Sequence, residues 1–345
     1  MSPDIYGMIE ASPVHLHEIT APNGARARII SYGARLVEWL CPDPRGAIRP
    51  VTLSRPDLAG YRACTAFMGA TCGRFANRID GGRVTIDGKV WHLDRNDGAN
   101  TLHGGAGGFD SRVWRFTQWD SASARLELIS KDEDMGFPGT ARISVTYAFT
   151  PENALTITME AETTQATVMN LAHHSYFNLS GAETILDHEM QIGAEHYTPT
   201  RADQIPTGEI RPVAGSALDF RHGRAIGAAM PGPDGFDHNF CLSEPPGPDG
   251  LRLAATLRAP ETGRTLSIRT DAPGLQVYTG AHLDPAQPGL GRRIGRFGGI
   301  ALETQNWPDA PNHSGFPSAL LRPGEIYRHR MEMTVTDPAY SASTA

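Results

Sequence analysis

Short β-rich segments recur along the chain, broken by Gly, Pro, Asn and Asp, with apolar residues alternating in Ile143–Phe149 and Leu155–Glu160, and no convincing helical period runs over three or more turns. Alternation sends successive side chains to opposite faces of a strand, so one face can be buried while the other is wetted. The pattern predicts strands over Arg28–Ser31, Val113–Trp119, Arg125–Ser130, Ile143–Phe149, Leu155–Ala161, Leu266–Thr270, Leu275–Tyr278 and Tyr327–Val335. Between Val84 and Trp91 it predicts a hairpin, because Asp87-Gly88 supplies the left-handed residues of a two-residue turn. The alternation of strand and helix that builds a dinucleotide-binding domain is missing. Many strands and few helices imply an all-β sandwich or barrel, and periodicity does not choose between them.

Length alone, at 345 residues, suggests two domains, although one large all-β domain can use this much chain. The Pro/Gly-rich stretches Pro231–Gly235 and Pro245–Gly250 read as long loops, since strand-like sequence resumes on either side. A formal charge of −7 argues against general affinity for nucleic acid. The one dense basic cluster, Arg292, Arg293 and Arg296, reads as a solvated loop. No apolar window is long enough to cross a bilayer, and the first residues carry no secretory signal pattern. Cys41, Cys64, Cys72 and Cys241 show neither metal-type pairing nor disulfide density, so they are expected to be reduced, mostly buried thiols of a cytoplasmic protein.

Two distant stretches carry the chemistry: His173–Leu179 and Glu303–Asn312. Each sets an ionisable side chain among polar and aromatic neighbours at the edge of an expected strand. A histidine and a carboxylate can give one proton and take another near neutral pH. Amides and hydroxyls suit the OH groups of a sugar, and aromatic rings suit its apolar faces. Glu303 follows an apolar Ile-Ala-Leu run, where a carboxylate is costly without a partner. His174 could equally be a satisfied structural histidine. The glycines Gly104, Gly105, Gly107 and Gly108 could pass for a phosphate cradle, but no Walker Lys-Ser/Thr pair follows them. On these residues alone, acid–base chemistry on a polar ring is as far as the reading goes.

Five segments then acquire a common meaning: Gly73–Ile79 (GRFANRI), Leu102–Gly105 (LHGG), His174–Leu179 (HSYFNL), Phe236–Phe240 (FDHNF) and Leu302–Gln305 (LETQ). In this order and spacing the chain resembles the aldose 1-epimerase (galactose mutarotase) family from about Ala11 to Val335. The resemblance implies a single domain holding one large distorted antiparallel β-sandwich, the galactose mutarotase-like supersandwich, with an open cleft on one sheet. It also implies interconversion of the α and β anomers of free aldoses such as glucose, galactose, xylose or arabinose, by a monomer or homodimer, with no cofactor and no metal.

Residue by residue, the resemblance implies that His174 is the general acid directed at the ring oxygen and Glu303 the general base at the anomeric hydroxyl. Mutual attraction is expected to favour imidazolium and carboxylate. His103 would assist or orient the acid while touching substrate. Asn77, Arg78, Tyr176, Asp237 and Gln276 would bind the sugar, with Arg74 supporting the loop. His173 departs from the family, where an asparagine commonly precedes the catalytic histidine. Two other readings compete. Glu303 and Asp237 could be the paired carboxylates of a glycoside hydrolase, which leaves both histidines without a task. A non-catalytic sugar-binding module would use the same cleft and leave the acid–base pair idle.

Overall fold

The computed structural model describes residues 3–43 and 45–338. Three antiparallel sheets carry most of them. In the largest, the strands lie side by side in the order Arg115–Trp119, Ser123–Ser130, Ala141–Phe149, Leu155–Thr163, Tyr327–Thr336, Thr265–Thr270, Arg252–Arg258, Glu189–Ile192 and Arg224–Ala225. The second has the order Tyr176–Phe177, Ile300–Gln305, Gly274–Tyr278, Asp237–Leu242, Ala194–Thr198 and Arg211–Pro212. A third, from Asp4–Ile9 to Ile48–Pro50, is an up-and-down meander that starts before Ala11. The α-helices among the described residues are the short turns Leu58–Ala63 and Ile226–Ala229.

All eight expected strands form, each within two residues of the expected ends. Along Leu155–Thr163 the odd-numbered residues are buried and the even-numbered ones face outward, as alternation requires. The inward side chains of the two larger sheets share one core. Val145, Ile157, Ile268 and Met333 from the larger sheet join Phe240, Leu275, Val277 and Leu302 from the smaller. Each large apolar side chain buried there contributes roughly 1.5–3 kcal/mol. The sandwich that the family resemblance implied is what forms: two sheets pack face to face with separate edges.

The Val84–Trp91 hairpin forms in the expected register, with Ile86 opposite Lys89. Asp87 and Gly88 both have positive φ, 50° and 79°, as a two-residue turn of this twist needs. The stretches 231–235 and 245–250 are turns and loops, and all four cysteines are buried and unpaired. In the basic cluster Arg293 and Arg296 are exposed, as a solvated loop implies, and Arg292 departs from it. Arg292 is half-buried and donates to the Gly298 carbonyl at 3.1 Å, and Arg296 pairs with Asp234 at 3.1 Å.

One face of the smaller sheet turns away from the core. Register places Glu303 opposite Gln276 and Gln276 opposite Asn239, while Ala301, Tyr278 and Asp237 form the next row. Tyr176 lies opposite Ala301 at the sheet's edge. The intervening residues Leu302, Leu275, Val277 and Phe240 point into the core. This period-two switch puts a row of polar and aromatic side chains over a rigid apolar floor.

Candidate active site

Glu303 sits in the middle of the strand Ile300–Gln305, every residue of which is buried. His174 follows the short strand Ala172–His173 and is fixed by its own backbone: its N–H donates to the Ala70 carbonyl at 2.9 Å, and its carbonyl accepts from Gly69 at 2.8 Å. The His174 Nε2 lies 3.4 Å from Glu303 Oε1, with side-chain exposures of only 5% and 2%. Glu303 Oε2 and His174 Nδ1 have no protein hydrogen-bond partner among the described residues. Unmet polar atoms at such depth are costly unless something polar arrives to meet them.

Electrostatics corrects one sequence expectation. Burial pushes the His174 imidazole down to about 4 and raises the Glu303 carboxyl well above its ordinary range, where the nearby Asp237 charge raises it further. Desolvation is the largest cause of both shifts and disfavours both charged forms. Both shifts favour the neutral forms, with the pair's proton toward Glu303 rather than His174. The sequence contained the pairing but not the depth of burial that moves the proton.

His103 is held in one tautomer. Its Nδ1 accepts the Asn77 backbone N–H at 3.1 Å, and its own backbone N–H donates to the Asn77 carbonyl at 3.0 Å. In the neutral ring the proton is consequently on Nε2, and burial together with the neighbouring His174 keeps the ring neutral. His103 is a fixed donor. Its ring is edge-on to that of His174, with centroids 5.5 Å apart. Gly104, the next residue, lets this segment approach the Gly73–Arg74 backbone: φ is 90°, and a Cβ there would stand 2.1 Å from the Gly73 carbonyl oxygen.

Nitrogens of His103 and His174 and a Glu303 oxygen lie within 4.8 Å of one another, a spacing that could hold a metal ion. The donor chemistry fits poorly. A neutral imidazole that ligates through Nε2 carries its proton on Nδ1, where it would face the Asn77 N–H donor.

Arg78 is steered by Asp97, whose Oδ2 accepts from Nε at 2.7 Å. Across the cleft, Gln276 Nε2 donates to Asp237 Oδ1 at 2.6 Å, which orients the carboxylate and leaves Gln276 Oε1 without a partner. Asp237 begins a strand and does not cap a turn. Together, Asn77, Arg78, His103, His174, Tyr176, Asp237 and Glu303 line an open cleft of about 250 Å³, with Gln276 directly behind Asp237.

Two residues named from the sequence lie elsewhere. Arg74 is buried outside the cleft and braces the adjacent loop through the carbonyls of Lys131, Pro138 and Gly139. His173 points away from His174, with Nε2 2.7 Å from Ser175 Oγ and Nδ1 3.4 Å from the Tyr147 hydroxyl. It fills a polar niche in the interior. Conversely, Phe67, Gln204, Tyr278 and His282 also line the cleft and were missed. Tyr278 was readable, being two residues beyond Gln276 on the same strand face. Phe67, Gln204 and His282 sit on loops, where no periodicity marks direction.

A β-sandwich that exposes buried acid–base groups beside sugar-suited polar and aromatic side chains defines an all-β carbohydrate-active enzyme. The aldose 1-epimerase family model matches residues 15–334. Galactose mutarotase of Rattus norvegicus is 41% identical over 306 residues, covering 87% of this chain and 88% of its own. Aldose 1-epimerase of Escherichia coli K12 is 33% identical over 327 residues, covering 92% and 94%. Among solved structures, galactose 1-epimerase from Lactobacillus acidophilus superposes with a TM-score of 0.85 at 29% identity, covering 97% of this chain and 98% of that one. The aldose epimerase homologue from C. elegans gives a TM-score of 0.88 at 28% identity, covering 94% and 99%. The chain belongs to the aldose 1-epimerase family, and it is an isomerase that interconverts the α and β anomers of aldose sugars.

Proposed function

We propose that the reaction runs on the one proton held between His174 and Glu303, with His174 as the acid that opens the ring and Glu303 as the base. The observation that carries this reading is the buried 3.4 Å contact between Nε2 and Oε1, with the outer atoms of both groups unpartnered. Hydroxyl donors of an incoming aldose stabilise the carboxylate, and the proton crosses to His174. Glu303 then removes the proton of the anomeric hydroxyl while His174 protonates the ring oxygen. The bond from C1 to the ring oxygen breaks and C1 becomes a carbonyl. Rotation about C1–C2 presents the opposite carbonyl face, and reclosure returns both protons along the reverse routes. Acid and base acting together keep charge from accumulating, and each supplies about 10²–10⁴-fold.

The remaining residues hold the ring. His103 presents its fixed Nε2–H near the ring oxygen or an adjacent hydroxyl. Asn77 and the planar fork of Arg78 donate to hydroxyls. Asp237 accepts from hydroxyls away from C1, with Gln276 beside it, and Tyr176 covers an apolar ring face.

The substrates in this reading are free monosaccharides: galactose, glucose, xylose or arabinose. The chain works as one domain, alone or as a homodimer, in the cytoplasm. The buried free thiols suit that compartment, and no helix of the described residues is long and apolar enough to cross a membrane. Polarimetry of freshly dissolved α-galactose and α-glucose tests the activity. The protein should speed decay to the anomeric equilibrium. Action only on glycosides, or sugar binding without faster decay, would favour the hydrolase or the binding module.

A further inference from the structure

Gln204 stands at a backbone position that chemistry would ordinarily give to glycine or asparagine. The strand Ala194–Thr198 of the smaller sheet leads into a tight return at 199–207, closed by Thr207 N–H to the Pro199 carbonyl, an antiparallel bridge between Thr200 and Pro206, and Arg201 N–H to the Ile205 carbonyl. Gln204 ends the turn with φ 63°, in the left-handed region, and its N–H donates back to the Arg201 carbonyl at 3.0 Å. A three-residue hairpin loop of this form takes glycine at that position because a Cβ strains it. A strained residue that persists indicates a task for its side chain.

The side chain is where such a task exists. Gln204 lines the cleft with His103, Arg78 and Glu303, and its carboxamide makes no hydrogen bond to any other described residue. The turn is also tied to the substrate-binding segment. Arg201 pairs with Asp80, two residues beyond Arg78, at 2.9 Å and with Asp203 at 3.0 Å, while Asn100 donates to Asp203 at 3.4 Å. Ile205, fully buried, anchors the next position. The loop is thus clamped on both sides of the residue whose side chain is free.

We propose that Gln204 is a specificity-determining residue that reads one hydroxyl of the bound aldose away from C1. A carboxamide both donates and accepts, as a hydroxyl does, and it carries no charge that would disturb the acid–base pair. This assignment rests on the anomer-interconverting reading of the cleft.

The test replaces Gln204 by the residue that the backbone prefers. Gln204→Gly relieves the strain, so its melting temperature should match or exceed that of the wild type. KM should nevertheless rise by about 3- to 10-fold, the worth of one net hydrogen bond, while kcat is nearly unchanged. On a series of monodeoxy aldoses the difference between variant and wild type should vanish for the one analogue that lacks the recognised hydroxyl. An unchanged KM on every aldose would overturn the assignment, as would an equal loss on every deoxy analogue. So would a melting temperature that falls together with activity, since the role would then be structural. Calorimetric titration of galactose into both proteins reads the same contact without turnover. A wild type that binds but does not mutarotate would sink the reaction assignment while leaving that of Gln204 testable.

Discussion

At the residue scale, the proposed mechanism depends on how many protons the His174–Glu303 pair holds, and burial sets the limits. In that proposal the pair is active with one proton. As pH falls toward about 4, His174 takes a second proton, and kcat/KM should drop. As pH rises, Glu303 loses the shared proton only well above the ordinary carboxylate range, which leaves a broad plateau between. A pH–rate profile of the wild type checks both limbs. Asp237 raises the Glu303 value by its charge, so Asp237→Ala should move the alkaline limb to lower pH. The same variant should raise KM by roughly 10- to 100-fold, the worth of hydrogen bonds to a charged group, with a smaller change in kcat. An alkaline limb that stays in place with an unchanged KM would remove Asp237 from the site. That His174, Asp237 and Glu303 belong together was legible in the sequence because they stand in the five short motifs, and they do line one cleft. Their protonation was not, because desolvation is a property of what packs around them.

At the scale of elements, the sequence was most informative where a rule is local. Asp87-Gly88 specified a hairpin and its register, and β-rich segments between turn residues located eight strands to within two residues. It was least informative where direction depends on distant packing. His173, next to His174 in the chain, turns into the interior toward Ser175 and the Tyr147 hydroxyl. Phe67 and His282 reach the cleft from loops whose path is set by the sheets beneath them. Gly104 joins the two levels. Its positive φ, and the mere 2.1 Å that would separate a Cβ from the Gly73 carbonyl oxygen, mean that any side chain must displace one of two site segments. Gly104→Ala should cost at least about 1–3 kcal/mol from backbone strain alone, measured by denaturant unfolding. It should also lower kcat, because His103 precedes it. Full stability together with full activity would show that this approach does not position the site.

For the molecule as a whole, polar groups buried in and around the sandwich should make it acid-sensitive. His103, His173, His188, His238 and His329 are all pushed below their ordinary value by burial. Their folded pKa values lie below the unfolded one, so between about pH 6.5 and 4 the unfolded chain binds more protons and stability falls as pH falls. Asp110 and Asp309 are raised and oppose this, and His174 and Glu303 act in opposite senses, so the five lowered histidines outnumber the groups that oppose them. The melting temperature should therefore fall from pH 6.5 to pH 4.5, in one transition if the chain is one domain. A melting temperature that rises over this range would contradict the burial of neutral histidines. Fold class was legible in the sequence at this scale because strand patterning pervades the chain. The choice of sandwich over barrel came from the family resemblance, since sheet closure leaves no local mark.

The proposed mechanism turns on Glu303 exchanging the anomeric proton, and the initial rate of optical rotation change in fresh α-galactose reads that exchange. Measured side by side with the wild type, a folded Glu303→Gln variant keeps the shape of the site but loses the base. Its turnover should fall on the order of 10²–10⁴-fold. A folded variant with a near-normal rate would show that Glu303 is not the base.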